Sequence, residues 1–209
     1  HAPQRLHQQQ KFGNATLQIG DGDHLAVATG IITISDFRQK NIAAGGEGAP
    51  LAVYGDYLIF GKYGEDRVLL NIGGIANFTY LPADMDTAKI FSTDTGPGNT
   101  MMDAFVQQHF PGKFFDENAD IAYSGTVNDK LLAGLKENIF FKQSFPKTTG
   151  PELFNLDYLQ KAKDKTSNQN ISIEDTMATL NKFSADTIVV ALLNTTDKNK
   201  PYKIFSSGG

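Results

Sequence analysis

The sequence contains no cysteine. This absence excludes disulfide scaffolds, thiol nucleophiles and cysteine-based zinc sites, and it fits a reducing compartment, so we expect a cytoplasmic protein. The four histidines show neither an i, i+4 pair nor the carboxylate spacing of a transition-metal site. We therefore predict no zinc site.

Basic clusters and long apolar runs are also missing. The 19 Lys and Arg residues are scattered and are outnumbered by 23 Asp and Glu, for a net charge of -4, which disfavours a nucleic-acid partner. The most apolar long segment, residues 172–194, is interrupted by charged side chains and does not approach the roughly 20 apolar residues that cross a bilayer. With 209 residues and 40% hydrophobic content, we expect a soluble α/β protein of one large or two small domains and no membrane partner.

The two ends of the sequence are unusual for a natural chain. The start, His1-Ala2-Pro3, has no initiating Met and no signal-peptide pattern, and the end is a glycine pair directly after a strand-like run. We expect segments to be missing at both ends.

Several short runs rich in β-branched residues predict strands. Residues 16–19 and 31–34 are two of them. Residues 67–72 and 75–80 flank Gly73-Gly74, which predicts a hairpin, and a third strand is expected over residues 89–93.

Helical spacing appears in four later segments. Residues 101–110 predict a helix after a turn at residues 94–99, and residues 125–138 and 155–163 predict shorter helices. The longest helix should begin at Ser172, which stands at capping-box spacing from Asp175. A boundary near residues 61–65 divides the chain into two α/β units.

The Gly73-Gly74 turn, flanked by Asn71 and Asn77, is a candidate anion site. Glycine allows a ligand to approach the backbone closely, so the N–H groups of such a turn suit a phosphate. The same glycines also suit a turn with no ligand, and spacing alone does not decide between the two.

Asp94 is the candidate catalytic base. It should end a strand just before a turn rich in Gly and Pro, where parallel-sheet enzymes place catalytic groups. In isolation, Asp94 or Asn99 is equally suited to a turn or helix-cap role.

Three further residues could bind a ligand, and two of them, Asp36 and Arg38, could position an acidic sugar. Asp36 and Arg38 follow a strand-like run, and an Arg side chain can hold a carboxylate or phosphate in a bidentate fork. An ordinary surface ion pair is the alternative. Lys147, in a Pro-Lys-Thr-Thr-Gly loop, resembles a basic anchor, although most such lysines are merely solvated.

Taken in order, seven motifs closely resemble the anhydro-N-acetylmuramic acid kinase family. They are residues 16–21 (TLQIGD), 29–31 (TGI), 36–38 (DFR), 43–51 (AAGGEGAPL), 70–77 (LNIGGIAN), 94–99 (DTGPGN) and 146–150 (PKTTG). The resemblance extends over nearly the whole chain. It implies two actin-like ATPase (ribonuclease H-like) α/β domains around a cleft, both incomplete here, with residues 1–62 on the sugar side and 63–209 on the nucleotide side.

The resemblance also implies an activity and a set of site residues. The family opens the 1,6-anhydro ring of 1,6-anhydro-N-acetylmuramic acid and phosphorylates it with ATP and Mg²⁺, in cell-wall recycling. Asp94 would be the catalytic base, and the remaining implied residues form two groups. The nucleotide group is Asn71, Gly73, Gly74, Asn77, Gly96, Gly98, Gly208 and Gly209. The sugar group is Gln18, Thr29, Asp36, Arg38, Gly46, Glu47, Gly48, Asn99 and Lys147.

The implied partners are an amino sugar and ATP, and any homodimer should leave the glycine-rich loops open. The sequence departs from the family pattern at residues 39–41, Glu47 and Pro151. Two alternatives stay open: a sugar- or nucleotide-binding remnant without catalysis, and a kinase of the same superfamily that acts on another amino sugar.

Overall fold

The structure is a computed structural model that describes residues 20–45, 48, 51–167, 170–197 and 199–209. The chain forms two compact units, residues 1–60 and 61–209. The predicted domain boundary stood two residues later. That these units are two actin-like domains stays a prediction.

The first unit contains three helices among its described residues: α1 (Gly22–Thr29), α2 (Phe37–Ala43) and α3 (Ala52–Phe60). The Asp21 carboxylate caps α1 by accepting the N–H groups of Asp23 and His24, both at 2.9 Å. These two hydrogen bonds define where the helix begins, because the first N–H groups of a helix have no partner within it.

The prediction of a strand at residues 31–34 is wrong. These residues have no regular secondary structure, and Ile32 is 92% exposed. β-branched residues favour a strand only when a neighbouring strand pairs with them, and all strands among the described residues belong to the second unit. The other predicted early strand, residues 16–19, lies outside the described residues.

The second unit is built on a four-stranded mixed sheet. Its strands are β1 (Asp66–Ile72), β2 (Ile75–Leu81), β3 (Phe91–Pro97) and β4 (Tyr202–Gly208), in the order β3-β2-β1-β4. The β1-β2 pair is antiparallel around Gly73-Gly74, which confirms the predicted hairpin. β4 runs parallel to β1.

β3 corrects two predictions. The strand was expected to end at Thr93 with a turn from Asp94, but it continues through Pro97, so Asp94 lies within the strand. Asp94 also belongs to an antiparallel pair instead of the end of a parallel strand. The sequence reads as a turn because of Gly96 and Pro97, yet β3 is at the edge of the sheet, where proline is tolerated.

The described residues of the second unit also form five helices: α4 (Thr100–His109), α5 (Asp120–Ser124), α6 (Asp129–Leu135), α7 (Leu156–Lys165) and α8 (Ile173–Thr195). Short 3₁₀ turns occupy Thr87–Lys89, Glu117–Ala119 and Ile139–Lys142. The predicted helix over residues 125–138 is wrong in length, since only α6 forms there. The N–H of Asp175 donates to Ser172 Oγ at 3.0 Å, which confirms the predicted start of the longest helix.

Helix α8 packs on one face of the sheet. Phe78 of β2 is fully buried and belongs to one apolar cluster with Ile188 and Ala191 of α8. A second cluster gathers α4 to α8 around Phe154 and Phe183. We call the face covered by α8 the covered face, and the opposite one the polar face.

Candidate functional site

A row of polar side chains crosses the polar face of the sheet. Asn71 of β1 is the register partner of Asn77 of β2 and of Ser207 of β4, and Asn77 is the partner of Asp94 of β3. Directly opposite residues project from the same face. Because Phe78 points into the covered face and successive side chains alternate, this row lies on the polar face.

A β-bulge in β3 directly follows Asp94. Asn77 faces Asp94 while Ala76 faces Gly96, so Thr95 is the extra residue. Thr95 is buried and its hydroxyl donates to the carbonyl of Ala76 at 3.1 Å. Gly96 lies against Thr187 of α8, so the residues after the bulge face the covered side. Bulges near active sites often re-aim a side chain, and this one sits beside the candidate base.

A loop bonded to the edge of β3 orients Asp94. The N–H of Asp94 donates to the carbonyl of Lys147 at 2.9 Å, and the N–H of Thr149 donates to Asp94 Oδ2 at 2.7 Å. The buried Thr93 hydroxyl fixes the same loop, since it accepts from the N–H of Lys147 at 2.9 Å. The carboxylate is therefore held by a loop that is itself bonded to the backbone of Asp94 and to the hydroxyl of Thr93.

The Gly73-Gly74 turn is bonded to the start of α4. The carbonyl of Gly73 accepts the N–H of Asn99 at 2.8 Å, and that of Gly74 accepts the N–H of Gly98 at 2.9 Å. A Cβ atom on Gly98 would stand 2.1 Å from the carbonyl oxygen of Gly73, so this approach requires glycine. Since C=O and N–H point in opposite directions across a trans peptide, the Gly74 N–H is directed away from α4.

β4 ends beside the Gly73-Gly74 turn, at the end of the sheet that adjoins α4. We call this end of the sheet the glycine-lined edge. Gly208 has a φ of 115°, and a Cβ atom there would stand 2.2 Å from the carbonyl oxygen of Ile72. The Asn99 amide donates to the carbonyl of Gly209 at 3.0 Å. Asn99, expected to contact the sugar, thus ties β4 to α4. The residues predicted to bind the nucleotide lie together at the glycine-lined edge and in the adjoining polar row.

Lys147, which the family resemblance assigns to the sugar site, lies on the covered face of the sheet. Its ammonium donates to the carbonyl of Phe140 at 3.0 Å and lies 4.3 Å from the ring centroids of Phe140 and Phe145. Burial lowers the pKa of Lys147. A cavity on the covered face contains both Lys147 and Thr95, so the side chain is on the opposite side of the sheet from Asp94.

The sugar candidates of the first unit form a local arrangement of their own. Arg38 donates to the carbonyl of Gly48 at 2.7 Å, and the Gly48 N–H donates to Asn41 Oδ1 at 2.8 Å. Asp36 precedes α2 with a φ of 65°, and its carboxylate makes no helix-cap hydrogen bond. The Thr29 hydroxyl donates to the carbonyl of Leu25 at 2.7 Å. Gln18, Gly46 and Glu47 lie outside the described residues.

Sequence reasoning missed several residues of the second unit that shape the site. The roles of these residues depend on strand register for Ser207, on a backbone N–H for Thr149, on a buried hydroxyl for Thr93 and on a bulge for Thr95. Thr95 and Thr149 lie within the DTGPGN and PKTTG motifs, but those motifs do not indicate these roles. Ser184 is another, since its hydroxyl donates to the carbonyl of Gly98 at 2.8 Å. No group of three His, Cys, Asp or Glu suited to a metal occurs within the described ranges, and no helix formed by those residues is both long and apolar enough to span a bilayer.

The fold and the site define a mixed α/β protein in which a glycine-lined sheet edge adjoins a polar row ending in a fixed carboxylate. The sequence profile of the anhydro-N-acetylmuramic acid kinase family matches residues 1–209. The chain therefore belongs to the anhydro-N-acetylmuramic acid kinase family.

Individual relatives agree with this family. The chain is 56% identical to the anhydro-N-acetylmuramic acid kinase of Pseudoalteromonas atlantica over 209 residues, which is 100% of this chain and 52% of that protein. It is 55% identical to that of Pseudoalteromonas translucida, again over 100% of this chain and 52% of the relative. With the enzyme of Vibrio parahaemolyticus, identity is 41% over 93% of this chain and 50% of the relative. The chain thus spans about half the length of the curated relatives it matches.

Proposed function

We propose that this chain serves an ATP-dependent kinase that opens the 1,6-anhydro ring of 1,6-anhydro-N-acetylmuramic acid and phosphorylates the sugar to N-acetylmuramic acid 6-phosphate. The observation that carries the proposal is Asp94, held by the Thr149 N–H at the end of the polar row. Family membership suggests the reaction, and the hydrogen bond from Thr149 supports Asp94 as a base that is oriented before the substrate binds.

Asp94 is the proton acceptor in this proposal. Its carboxylate takes a proton from the water that attacks the anomeric carbon, which breaks the anhydro bridge and frees the 6-oxygen for phosphorylation. A carboxylate fixed by a backbone hydrogen bond loses little orientational freedom at the moment of reaction. The bulge at Thr95 influences the direction in which the Asp94 side chain projects from β3.

The glycine-lined edge is the proposed site for the phosphates of ATP. The exposed Gly74 presents an N–H directed away from α4, and Asn71 and Asn77 add side-chain amides on the polar face. Gly96, Gly98, Gly208 and Gly209 shape this edge, with the last two assigned to the adenosine side. When bound, ATP supplies the phosphoryl group and Mg²⁺ neutralises its charge. Magnesium is usually held by phosphates, water and one or two protein carboxylates, so Mg²⁺ would be held here chiefly by the ATP phosphates and water, with the Asp94 carboxylate kept for proton transfer.

The first unit supplies the proposed sugar contacts. Arg38 is hydrogen-bonded to the carbonyl of Gly48, and the Asp36 carboxylate makes no helix-cap hydrogen bond. Gln18, Thr29, Gly46 and Glu47 complete the proposed sugar set. Asn99 is better suited to positioning Gly209, and Lys147 lies on the opposite side of the sheet from Asp94.

A hybrid enzyme tests the proposal. In it, this chain replaces the matching segment of the Pseudoalteromonas atlantica relative, and the hybrid is incubated with ATP, Mg²⁺ and a panel of anhydro and open-ring amino sugars. We expect N-acetylmuramic acid 6-phosphate from the anhydro sugar. The purified 209-residue chain, assayed in parallel, should transfer no phosphate.

Two results would contradict the proposal. Phosphorylation of only open-ring sugars would indicate another kinase of the superfamily. Sugar or nucleotide binding without turnover by the hybrid, alongside an active parent relative, would indicate a non-catalytic remnant.

A further inference from the structure

A buried cation without a counter-charge lines a cavity on the covered face of the sheet. Lys147 is 9% exposed, and its ammonium has one hydrogen bond to a described residue, to the carbonyl of Phe140. Within the part of the chain that the structure describes, no carboxylate lies within ion-pair distance of this ammonium. Buried charges are ordinarily paired, because burial without a partner is costly.

The aromatic rings around Lys147 offset only part of that cost. Phe140 and Phe145 each lie 4.3 Å from the ammonium, a distance typical of cation–π contacts. Such contacts stabilise a cation but leave its net charge in place. Burial accordingly lowers the pKa of Lys147, because removal from water disfavours the charged form.

The cavity itself carries an excess of one positive charge. It has a volume of about 140 Å³, and its charged lining residues are Lys136, Lys147 and Asp186. Asp186 is already paired, because it accepts from Lys136 and, at 2.7 Å, from Lys182. The one carboxylate of the cavity is therefore engaged by two other lysines and does not neutralise Lys147.

The other residues that line the cavity determine which kind of anion fits it. Phe141, Phe145 and Val190 form apolar walls, while Thr95 and Thr187 add hydroxyls. A volume of about 140 Å³ accommodates a small organic anion. A doubly charged oxyanion would leave oxygen atoms facing apolar walls without hydrogen bonds, whereas a carboxylate with a short alkyl tail matches both parts.

We propose that this cavity binds a short aliphatic monocarboxylate, with the carboxylate on the Lys147 ammonium and the alkyl tail between Phe145 and Val190. The site is distinct from the Asp94 row, since the sheet lies between them. It does not depend on the proposed kinase activity.

Calorimetric titration of the whole chain with sodium propionate tests this, with sodium phosphate and sodium chloride at matched ionic strength as comparisons. We expect saturable binding of propionate alone. Lys147→Met should weaken it about tenfold or more, as expected for loss of a charge-assisted hydrogen bond. The matched control is Lys163→Met, because Lys163 is also partly buried over a phenylalanine ring, that of Phe105, and is not part of this cavity.

A second variant keeps the test decisive if Lys147→Met fails to fold. Val190 is 52% exposed, so Val190→Trp should fold and fill the cavity, and propionate binding should again be lost. Absence of saturable propionate binding, tighter binding of phosphate, or equal weakening by Lys163→Met would each overturn the proposal.

Discussion

The N–H of Thr149 donates to Asp94 Oδ2 although the two residues are 55 positions apart. The bond fixes one carboxylate oxygen and leaves the orientation of Asp94 dependent on the loop that carries Thr149. That loop is in turn held by Thr93, the neighbour of Asp94. The candidate base and its support are thus anchored to the same strand.

Asp94→Asn tests the catalytic assignment in the hybrid enzyme. Asn keeps the shape and can still accept from the Thr149 N–H, but it cannot take a proton. We expect kcat to fall at least ~10²-fold, with nucleotide affinity and melting temperature little changed. Asp120→Asn, at an exposed carboxylate that begins α5, is the control and should leave kcat unchanged. Parental kcat in Asp94→Asn would rule out a base at this position.

Asp36→Asn tests the sugar site. Asn also tolerates the left-handed backbone that Asp36 adopts, so the start of α2 should be retained while the charge is lost. We expect a higher KM for the sugar with kcat nearly unchanged, measured by initial rates over a range of sugar concentrations. A fall in kcat with an unchanged KM would place Asp36 in the chemical step instead.

Thr93→Val tests whether the loop orients Asp94. The substitution keeps the volume but leaves the buried N–H of Lys147 without its acceptor, at a cost of about 1–3 kcal/mol in the free energy of unfolding. Activity of the hybrid should fall as well, and Thr93→Ser should restore both.

The control for Thr93→Val is Thr195→Val, where the hydroxyl bonds only within its own helix, to the carbonyl of Ala191. We expect a change in stability below about 0.5 kcal/mol and normal activity. Loss of stability in Thr93→Val with full activity would show that the loop does not orient the base.

Gly98→Ala tests the close approach between the hairpin turn and α4. The added Cβ would collide with the carbonyl oxygen of Gly73, so denaturant unfolding should show a loss of about 1–3 kcal/mol or more. Gly55→Ala in α3 is the control, because nothing lies within 4 Å of its Cβ position and alanine favours helix. Equal stability of Gly98→Ala and the parent would show that the turn and helix are not closely coupled.

Glu65→Gln tests an ion-pair network between β1 and β4. Hydrogen bonds from Lys203 and then Arg67 lower the pKa of Glu65 to about 2, from an ordinary value of 4.5. Because the folded pKa is lowered, the stabilisation is present above about pH 4.5 and is lost as the pH falls through about 2. The variant should therefore be less stable than the parent near neutral pH, and the difference should disappear near pH 2.

The control for the network is Glu117→Gln, since Glu117 has no ion pair among the described residues. Its unfolding free energy, measured from pH 2 to 7, should follow that of the parent. A Glu65→Gln difference that stays constant with pH would exclude this linkage.

Local patterns were sufficient for part of the fold. The hairpin at Gly73-Gly74, the helix after Asn99 and the cap at Ser172 each depend on residues close in sequence, and the structure confirms them. The motif that begins at Asp94 predicts a turn, because Gly96 and Pro97 usually interrupt strands. Only pairing with β2 at a sheet edge makes that segment extended.

The remaining features depend on residues far apart in sequence. Neither the bulge at Thr95, the Thr149 support nor the alignment of Ser207 with Asn71 has a signature in a short window. The expected strand at residues 31–34 illustrates the opposite error, since apolar β-branched residues predict a strand even where no partner strand pairs with them.

The parallel pairing of β4 with β1 has a consequence for synthesis. Asn71 aligns with Ser207, so the polar row remains incomplete until residues 202–208 have left the ribosome. The β1-β2 hairpin can form early from local contacts, but its outer edge stays unpaired meanwhile, and such edges promote aggregation. We infer that nascent chains pass through a vulnerable stage that ends when β4 docks.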